Sequence, residues 1–445
     1  MKPTEEFEEQ MFLKAGASTL KTLSSLEITR ENYLVKKYYP FEKQFVFERG
    51  MILLGKEWLS EYMKRMVEKG EKKHNDIYIN FRYPIRLLLI AKTGEGKTMI
   101  IRRMFDYSYF FGMNGIWFDM KNEVKSSARP QRKYLNLLAP TDKPLGIKLM
   151  VLRPAFFRKF IEKEEEVPEG NTYFKYHFKD VSVRDFLAAI GARNENEVIV
   201  MQKIWSESNT LDEMREKLKE EKIDSRMRIR LDRAVENLQR FEIFTDEENE
   251  RFDVVKLLNM GFHISFNFSN LHEIESGDVP DAAQIYFSII MRSIFDGANN
   301  KKLDKRKTFV IVEEAPSLIN KKSMVYRDVK QVVLMGRKAG IYVAFSTQFW
   351  EKSGSDEPPI EPWIIENCDY LFLSKMTSIG SLGRLLSQYV AGKYTYTASE
   401  RSDISNELSA MSRETNRMRN WILVNRLSSK LHKFSAYCSL SEHED

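Results

Sequence analysis

The sequence predicts an α/β fold with a mainly parallel sheet, and three stretches predict it. Residues 85–98 (IRLLLIAKTGEGKT) join a short apolar run to a glycine turn, a Lys-Thr pair and a helical segment. Residues 308–312 (TFVIV) are continuously apolar and end on Glu313 and Glu314. Residues 341–346 form another apolar run, with Gln348 just past its end. Runs of this length and continuity suit strands buried on both faces, the situation of a parallel sheet.

The first stretch carries the clearest chemistry. Strand, glycine loop, Lys-Thr and helix is the order a phosphate-binding loop requires. Gly94 and Gly96 let the backbone curl so that its N–H groups face phosphate oxygens. The helix N-terminus adds free N–H groups and partial positive charge. The cradle is predicted from Thr93, Gly94, Glu95, Gly96, Lys97, Thr98 and Met99. Lys97 is placed to reach the β- and γ-phosphates of ATP, and the Thr98 hydroxyl to ligate Mg²⁺. One position departs from G-x-x-x-x-G-K-[ST]: Ala91 stands where the first glycine is expected, so the turn survives only if φ there is negative.

The acidic pair and the glutamine complete a second set. An apolar strand closing on two acids is the Walker B arrangement: Glu313 holds the metal's hydration shell and Glu314 polarises the attacking water. The usual first acid is Asp, and Glu313 is one methylene longer. Gln348 is placed to sense the γ-phosphate and orient that water. Arg337, ahead of the same strand, is a candidate arginine finger for a neighbouring subunit.

The remaining elements follow in order. Residues 1–76 read as a short, mixed, mostly helical segment, with an amphipathic helix over 59–67. Residues 77–83 alternate like a strand, and the helix after the glycine loop ends near Gly112. A strand over 115–118 leads into Asp119-Met120-Lys121-Asn122-Glu123, which reads either as a ligand-facing strand end or as a solvated turn. Residues 125–133 are a basic loop, 148–152 a strand, and 181–250 a helical insertion. Arg226, Arg228, Arg230 and Arg233 spread around one of its helices, which favours a solvated surface over a DNA patch. A helix, a glycine turn and a strand occupy 253–268, and 279–295 are helical. A lysine-rich loop spans 299–307. Residues 402–416 have helical spacing, and 421–425 with 431–437 read as a pair of strands.

Composition excludes several classes. The 445 residues are 42% hydrophobic and 30% charged, the balance of a globular protein and not a disordered one. No apolar run approaches the length that spans a bilayer, and the acidic start lacks a signal-peptide core, so a cytoplasmic location is expected. Cys368 and Cys438 form no metal or redox motif, and the six histidines show no ligand spacing. A net charge of +6 is too mild to demand a polyanionic partner.

Taken together, AKTGEGKT, FDMKNE, LNMGFHISFNFSNL, VIVEEAPSL, GRKAGIYVAFSTQ and PWIIENCDYLFL resemble the HerA/FtsK superfamily of ring-shaped DNA translocases, HerA and its archaeal, plasmid and viral relatives above all. GRKxG is the most HerA-like segment, and DxKxE is also similar to that of conjugation ATPases. The resemblance covers about residues 77–440. It implies a RecA-like ATPase domain over 77–445, an insertion before the Walker B strand, a bracing segment at about 402–445, and a homohexamer. It also implies ATP and Mg²⁺ at Lys97, Thr98 and Glu313, with Glu314, Gln348 and Arg337 in the roles given above. Residues 1–76 lack the alternating strands of the HerA N-terminal barrel, which leaves a HerA-type nuclease partner open. The expected activity is ATP-driven translocation of DNA, held by its backbone in the pore. Candidate contacts are Lys321 and Lys322 together with Arg129, Arg132 and Lys133. The same motor serving plasmid transfer or viral genome packaging, and a DNA-binding scaffold with little turnover, are the alternatives.

Overall fold

The computed structural model describes residues 50–57, 66, 68–70, 75–92, 94–122, 124, 148–155, 157, 172–192, 194–240, 242–245, 252–269, 279–319, 326–348, 360–374, 385, 420–428 and 430–436. The strands, in chain order, are β1 (Met51–Glu57), β2 (Asp76–Asn80), β3 (Arg86–Ile90), β4 (Asn114–Asp119), β5 (Leu149–Pro154), β6 (Thr172–Phe174), β7 (Tyr176–His177), β8 (Phe244–Thr245), β9 (His263–Asn267), β10 (Thr308–Val312), β11 (Ile341–Thr347), β12 (Tyr370–Leu373), β13 (Asn420–Asn425) and β14 (Lys430–Ala436). The helices are α1 (Lys97–Phe110), α2 (Val183–Ala189), α3 (Glu195–Glu207), α4 (Leu211–Glu220), α5 (Ser225–Arg240), α6 (Val254–Asn259), α7 (Val279–Asn299), α8 (Ala315–Leu318), α9 (Tyr326–Gly336) and α10 (Pro362–Asn367).

Among the described residues, twelve strands form one sheet in the order β2-β1-β14-β13-β12-β3-β11-β10-β4-β9-β5-β6. From β12 to β6 every neighbouring pair is parallel. From β2 to β12 the pairs are antiparallel. The central strands are buried on both faces, as their continuous apolar sequences predict.

Period two sorts their side chains into two layers. Leu88, Ile90, Phe118, Val310, Val312 and Phe345 join the core that holds α7, α9 and the insertion helices. Leu87, Leu89, Trp117, Phe309, Ile311 and Tyr342 join the core that holds α1 and β1. Each fully buried Leu or Ile contributes about 1.5–3 kcal/mol of transfer free energy, so a one-residue slip of any central strand would exchange both layers at once.

The insertion is a set of amphipathic helices. In α5, Leu231, Val235 and Leu238 are buried at helical spacing. Two of its arginines are tied internally: Arg230 pairs with the buried Glu197 of α3, and Arg228 donates to the Glu221 carbonyl. The α3 and α4 starts are capped by Asn194 and Thr210, whose side chains accept amides three residues on.

One element differs from the sequence reading. Residues 51–57, read with the mostly helical N-terminal segment, form β1 of the main sheet. Gly55 in β1 explains why the alternation is hard to see, because a Cβ there would lie 2.0 Å from the Ser435 carbonyl oxygen of β14. Close backbone approach, not a side-chain pattern, sets that residue. The helix read over 59–67 lies almost wholly outside the described residues, and the one over 402–416 entirely so.

On the α1 face of the sheet, the ring of His263 in β9 fills the space over Gly115 of β4, where a Cβ would lie 2.2 Å from the imidazole Cδ2. Its Nε2 is 3.1 Å from Ser108 Oγ, and the rings of Phe105 and Tyr109 meet it edge-on. Burial first, and the nearby Lys305 charge second, hold this imidazole well below the usual histidine range. A depressed folded pKa means the unfolded chain binds the extra proton. The contribution is therefore complete above about pH 6.5 and is lost as pH falls below it. The expected result is a lower urea midpoint at about pH 5.5 than at about pH 7.5, with a flatter dependence in His263→Gln. Equal slopes in the two proteins would show that His263 does not carry the effect.

Candidate nucleotide site

The register brings four strand ends together. Ile90 of β3 lies opposite Thr347 of β11, and Val312 of β10 lies opposite both Phe345 and Phe118. The loops after β3, β11, β10 and β4 therefore share the carboxyl edge of the sheet, the place where open α/β sheets bind ligands.

The loop after β3 has the backbone that phosphate binding needs. Gly94 and Gly96 have φ of 80° and 82°, the left-handed values that favour glycine. The Glu95 amide bonds to the Lys92 carbonyl at 3.4 Å. Gly96 caps α1 in a left-handed conformation and, as glycine, offers no side-chain cap, so the loop and the start of the helix turn toward the place where a helix N-terminus binds an anion. Lys97 and Thr98 are buried. The Lys97 ammonium donates to the carbonyls of Ala91 and Lys92, the latter at 3.2 Å, so it lies folded along the loop. Met99 stands in the first turn of α1. Ala91 is fully buried and is not among the described non-glycine residues with positive φ, which are Asn122, Glu242, Lys301 and Glu314. The departure from glycine at position 91 therefore costs the turn no backbone strain.

The carboxylates stand beside this loop. Glu313 is fully buried, and its Oε1 lies 3.4 Å from Thr98 Oγ1. Its Oε2 accepts from the Met120 amide, also at 3.4 Å. Two oxygens in adjacent positions on an octahedral Mg²⁺ lie about 3 Å apart, so Thr98 and Glu313 fit one such ion between them despite the extra methylene. Glu314 has φ 42° and ψ 53°, a left-handed conformation that costs a non-glycine residue on the order of 1–3 kcal/mol. The Gln348 amide donates to Glu314 Oε1 at 3.1 Å. Lys121 Nζ is 3.5 Å from the same oxygen.

That last contact was not legible as a pair, although the alternating charges of residues 119–123 had marked the loop. Asp119 itself is structural. Its two carboxylate oxygens accept the Lys121 and Val124 amides, each at 2.9 Å, and so curl the loop.

Arg337 sits at the other edge. It precedes β11, whose carboxyl end carries Gln348, so the whole strand separates it from Lys97 of its own chain. It pairs with Asp369, which also accepts the Arg86 amide at 2.9 Å. Thr93, Glu123, Arg129, Arg132, Lys133, Lys321 and Lys322 lie outside the described residues.

Strand order, loop and carboxylates define the class: an α/β protein with the architecture of P-loop ATPases and an antiparallel extension of the sheet. No protein-family model and no curated protein matches the chain. Solved structures do. The genome packaging NTPase B204 from Sulfolobus turreted icosahedral virus 2, in complex with AMPPCP, is 11% identical over 80% of this chain and 99% of its own, with a TM-score of 0.35. VirB4 of Thermoanaerobacter pseudethanolicus is 14% identical over 87% of this chain and 96% of its own, with a TM-score of 0.49. The plasmid coupling protein TrwB, in complex with the GTP analogue GDPNP, is 11% identical over 89% and 96%, with a TM-score of 0.45. These are matches to HerA/FtsK-type ATPases at low identity. At such TM-scores they carry no weight for substrate or partner, and the fold rests on the strand order and loop geometry above.

No helix among the described residues is long and apolar enough to cross a membrane.

Proposed function

We propose that the protein is a Mg²⁺-dependent ATPase that moves DNA, working as a homohexameric ring of the HerA/FtsK kind. The observation that carries the ATPase reading is the contact of Thr98 with Glu313 and of Gln348 with Glu314 at the sheet edge that also holds the Lys97 loop, while the DNA and the ring come from the sequence resemblance. The bound nucleotide would supply the phosphoanhydride to be cleaved, and Mg²⁺ would offset its charge. The amides of the glycine loop and the α1 N-terminus would hold the phosphates, and Lys97 would turn from the loop carbonyls to the β- and γ-oxygens. Thr98 and Glu313 would hold the metal. Glu314 takes a proton from the attacking water, and Gln348 orients both.

Arg337, too far along β11 to serve its own site, is proposed to complete a neighbour's. Lys321, Lys322, Arg129, Arg132 and Lys133 are proposed to hold the DNA backbone. Genome packaging, plasmid transfer and end processing with a nuclease are different uses of the same motor.

The test is steady-state ATPase with and without double-stranded DNA at two salt concentrations. DNA is expected to raise turnover, with the increase shrinking as salt rises because phosphate contacts release counterions. Arg337→Ala is expected to lose turnover while keeping nucleotide affinity. Turnover indifferent to DNA would remove the translocase, and full activity of Arg337→Ala would remove the finger.

A further inference from the structure

We propose that Lys121 is a positioning residue for Glu314: it fixes the carboxylate so that one oxygen is held and the other is presented to water. The inference rests on the hydrolytic reading of the site. It starts from the loop after β4, which is pinned at several points. Asp119 takes the Lys121 and Val124 amides. Asn122, in a left-handed conformation with φ 56°, accepts from the Asn267 side chain at 2.9 Å. Asn267 in turn accepts from Arg153, itself buried, at 3.1 Å. The Met120 amide reaches Glu313 Oε2. A loop fixed by β9 and β5 on one side thus touches both acids of β10 on the other.

Lys121 Nζ and the Gln348 amide both meet Glu314 Oε1, at 3.5 and 3.1 Å. A carboxylate that acts as a base uses one oxygen. A hydrogen bond from Gln348 and the ion pair with Lys121 on the other fix its plane and aim. Glu314 needs such support, because its backbone is left-handed and it caps a helix of only four residues. The Lys121 side chain is 28% exposed and that of Glu314 16%, so solvent screens the contact only in part.

The proposal is tested with Lys121→Met and Lys121→Arg in the full chain. Lys121→Met is expected to lower kcat roughly 10- to 100-fold, the scale of a misplaced reacting group, with KM and fluorescent-ADP affinity within about twofold. Lys121→Arg, which keeps the charge, is expected to recover most of kcat. Unchanged kcat in Lys121→Met, or an equal loss of kcat and nucleotide affinity, would overturn the assignment, as would failure of the arginine to rescue.

A second readout needs no turnover. In nucleotide-free protein, the Tm losses of Lys121→Met and Glu314→Ala, which removes the carboxylate, are expected to be non-additive in the double variant, because the two groups touch. Additive losses would overturn the contact. If the unaltered protein does not hydrolyse ATP, the hydrolytic reading fails, and the melting cycle still decides whether Lys121 holds Glu314.

Discussion

Glu314→Gln is expected to slow ATP hydrolysis by roughly 10²–10⁴-fold, the contribution of a positioned general base, while nucleotide binds about as tightly as before. The substitution is well suited to the question because the amide oxygen can still accept from Gln348 and face Lys121. Geometry is kept and basicity is lost. The neighbouring Glu313, buried between Thr98 and the Met120 amide, is untouched, so the proposed metal position stays intact. Single-turnover hydrolysis alongside a fluorescent-nucleotide titration separates the two quantities. A variant that turns over within about threefold of the unaltered protein would rule out Glu314 as the base. It would also favour a DNA-binding scaffold over a motor.

The second large effect is on folding. Gly340→Ala is expected to cost about 2–5 kcal/mol, from a left-handed residue and an overpacked contact together. Gly340 has φ +78°, and a Cβ there would lie 2.2 Å from the Arg306 carbonyl oxygen. Its own carbonyl accepts the Thr308 amide at 3.1 Å. The linkers entering β10 and β11 therefore touch backbone to backbone, and the methyl group has no flexible neighbour to displace. Gly70→Ala serves as the control, because Gly70 has φ +75° but no described residue within 4 Å of the added carbon. Denaturant midpoints should fall further for Gly340→Ala than for Gly70→Ala. Equal losses would mean that only the backbone conformation matters.

Much of this site can be read along the chain because its parts are local. A strand, a glycine turn and a helix start are consecutive residues, and so are a strand and the two acids that end it. The apolar runs 308–312 and 341–346 reveal strands for the same reason: burial on both faces removes polar residues from the run itself. What could not be read is what the sheet assembles from distant pieces. Lys121 and Glu314 meet because β4 and β10 are neighbours in register. Arg337 and Asp369 meet because β11 and β12 flank β3. The outer strand β1 escaped because its glycine is chosen for contact with β14 and its pairing is antiparallel at a distance.

That pairing has a consequence for how the molecule is made. β1 and β2 are close in sequence and can form a ribbon soon after they leave the ribosome. The other side of β1 belongs to β14, which is synthesised roughly 370 residues later, a delay of about 20–75 s at ordinary elongation rates. Throughout that interval β1 carries an open row of amides and carbonyls beside Ile52, Leu53 and Leu54, which are buried once the sheet is complete. The nascent chain thus presents a sticky edge for most of its synthesis, and productive folding depends on shielding that edge until its last partner strand arrives.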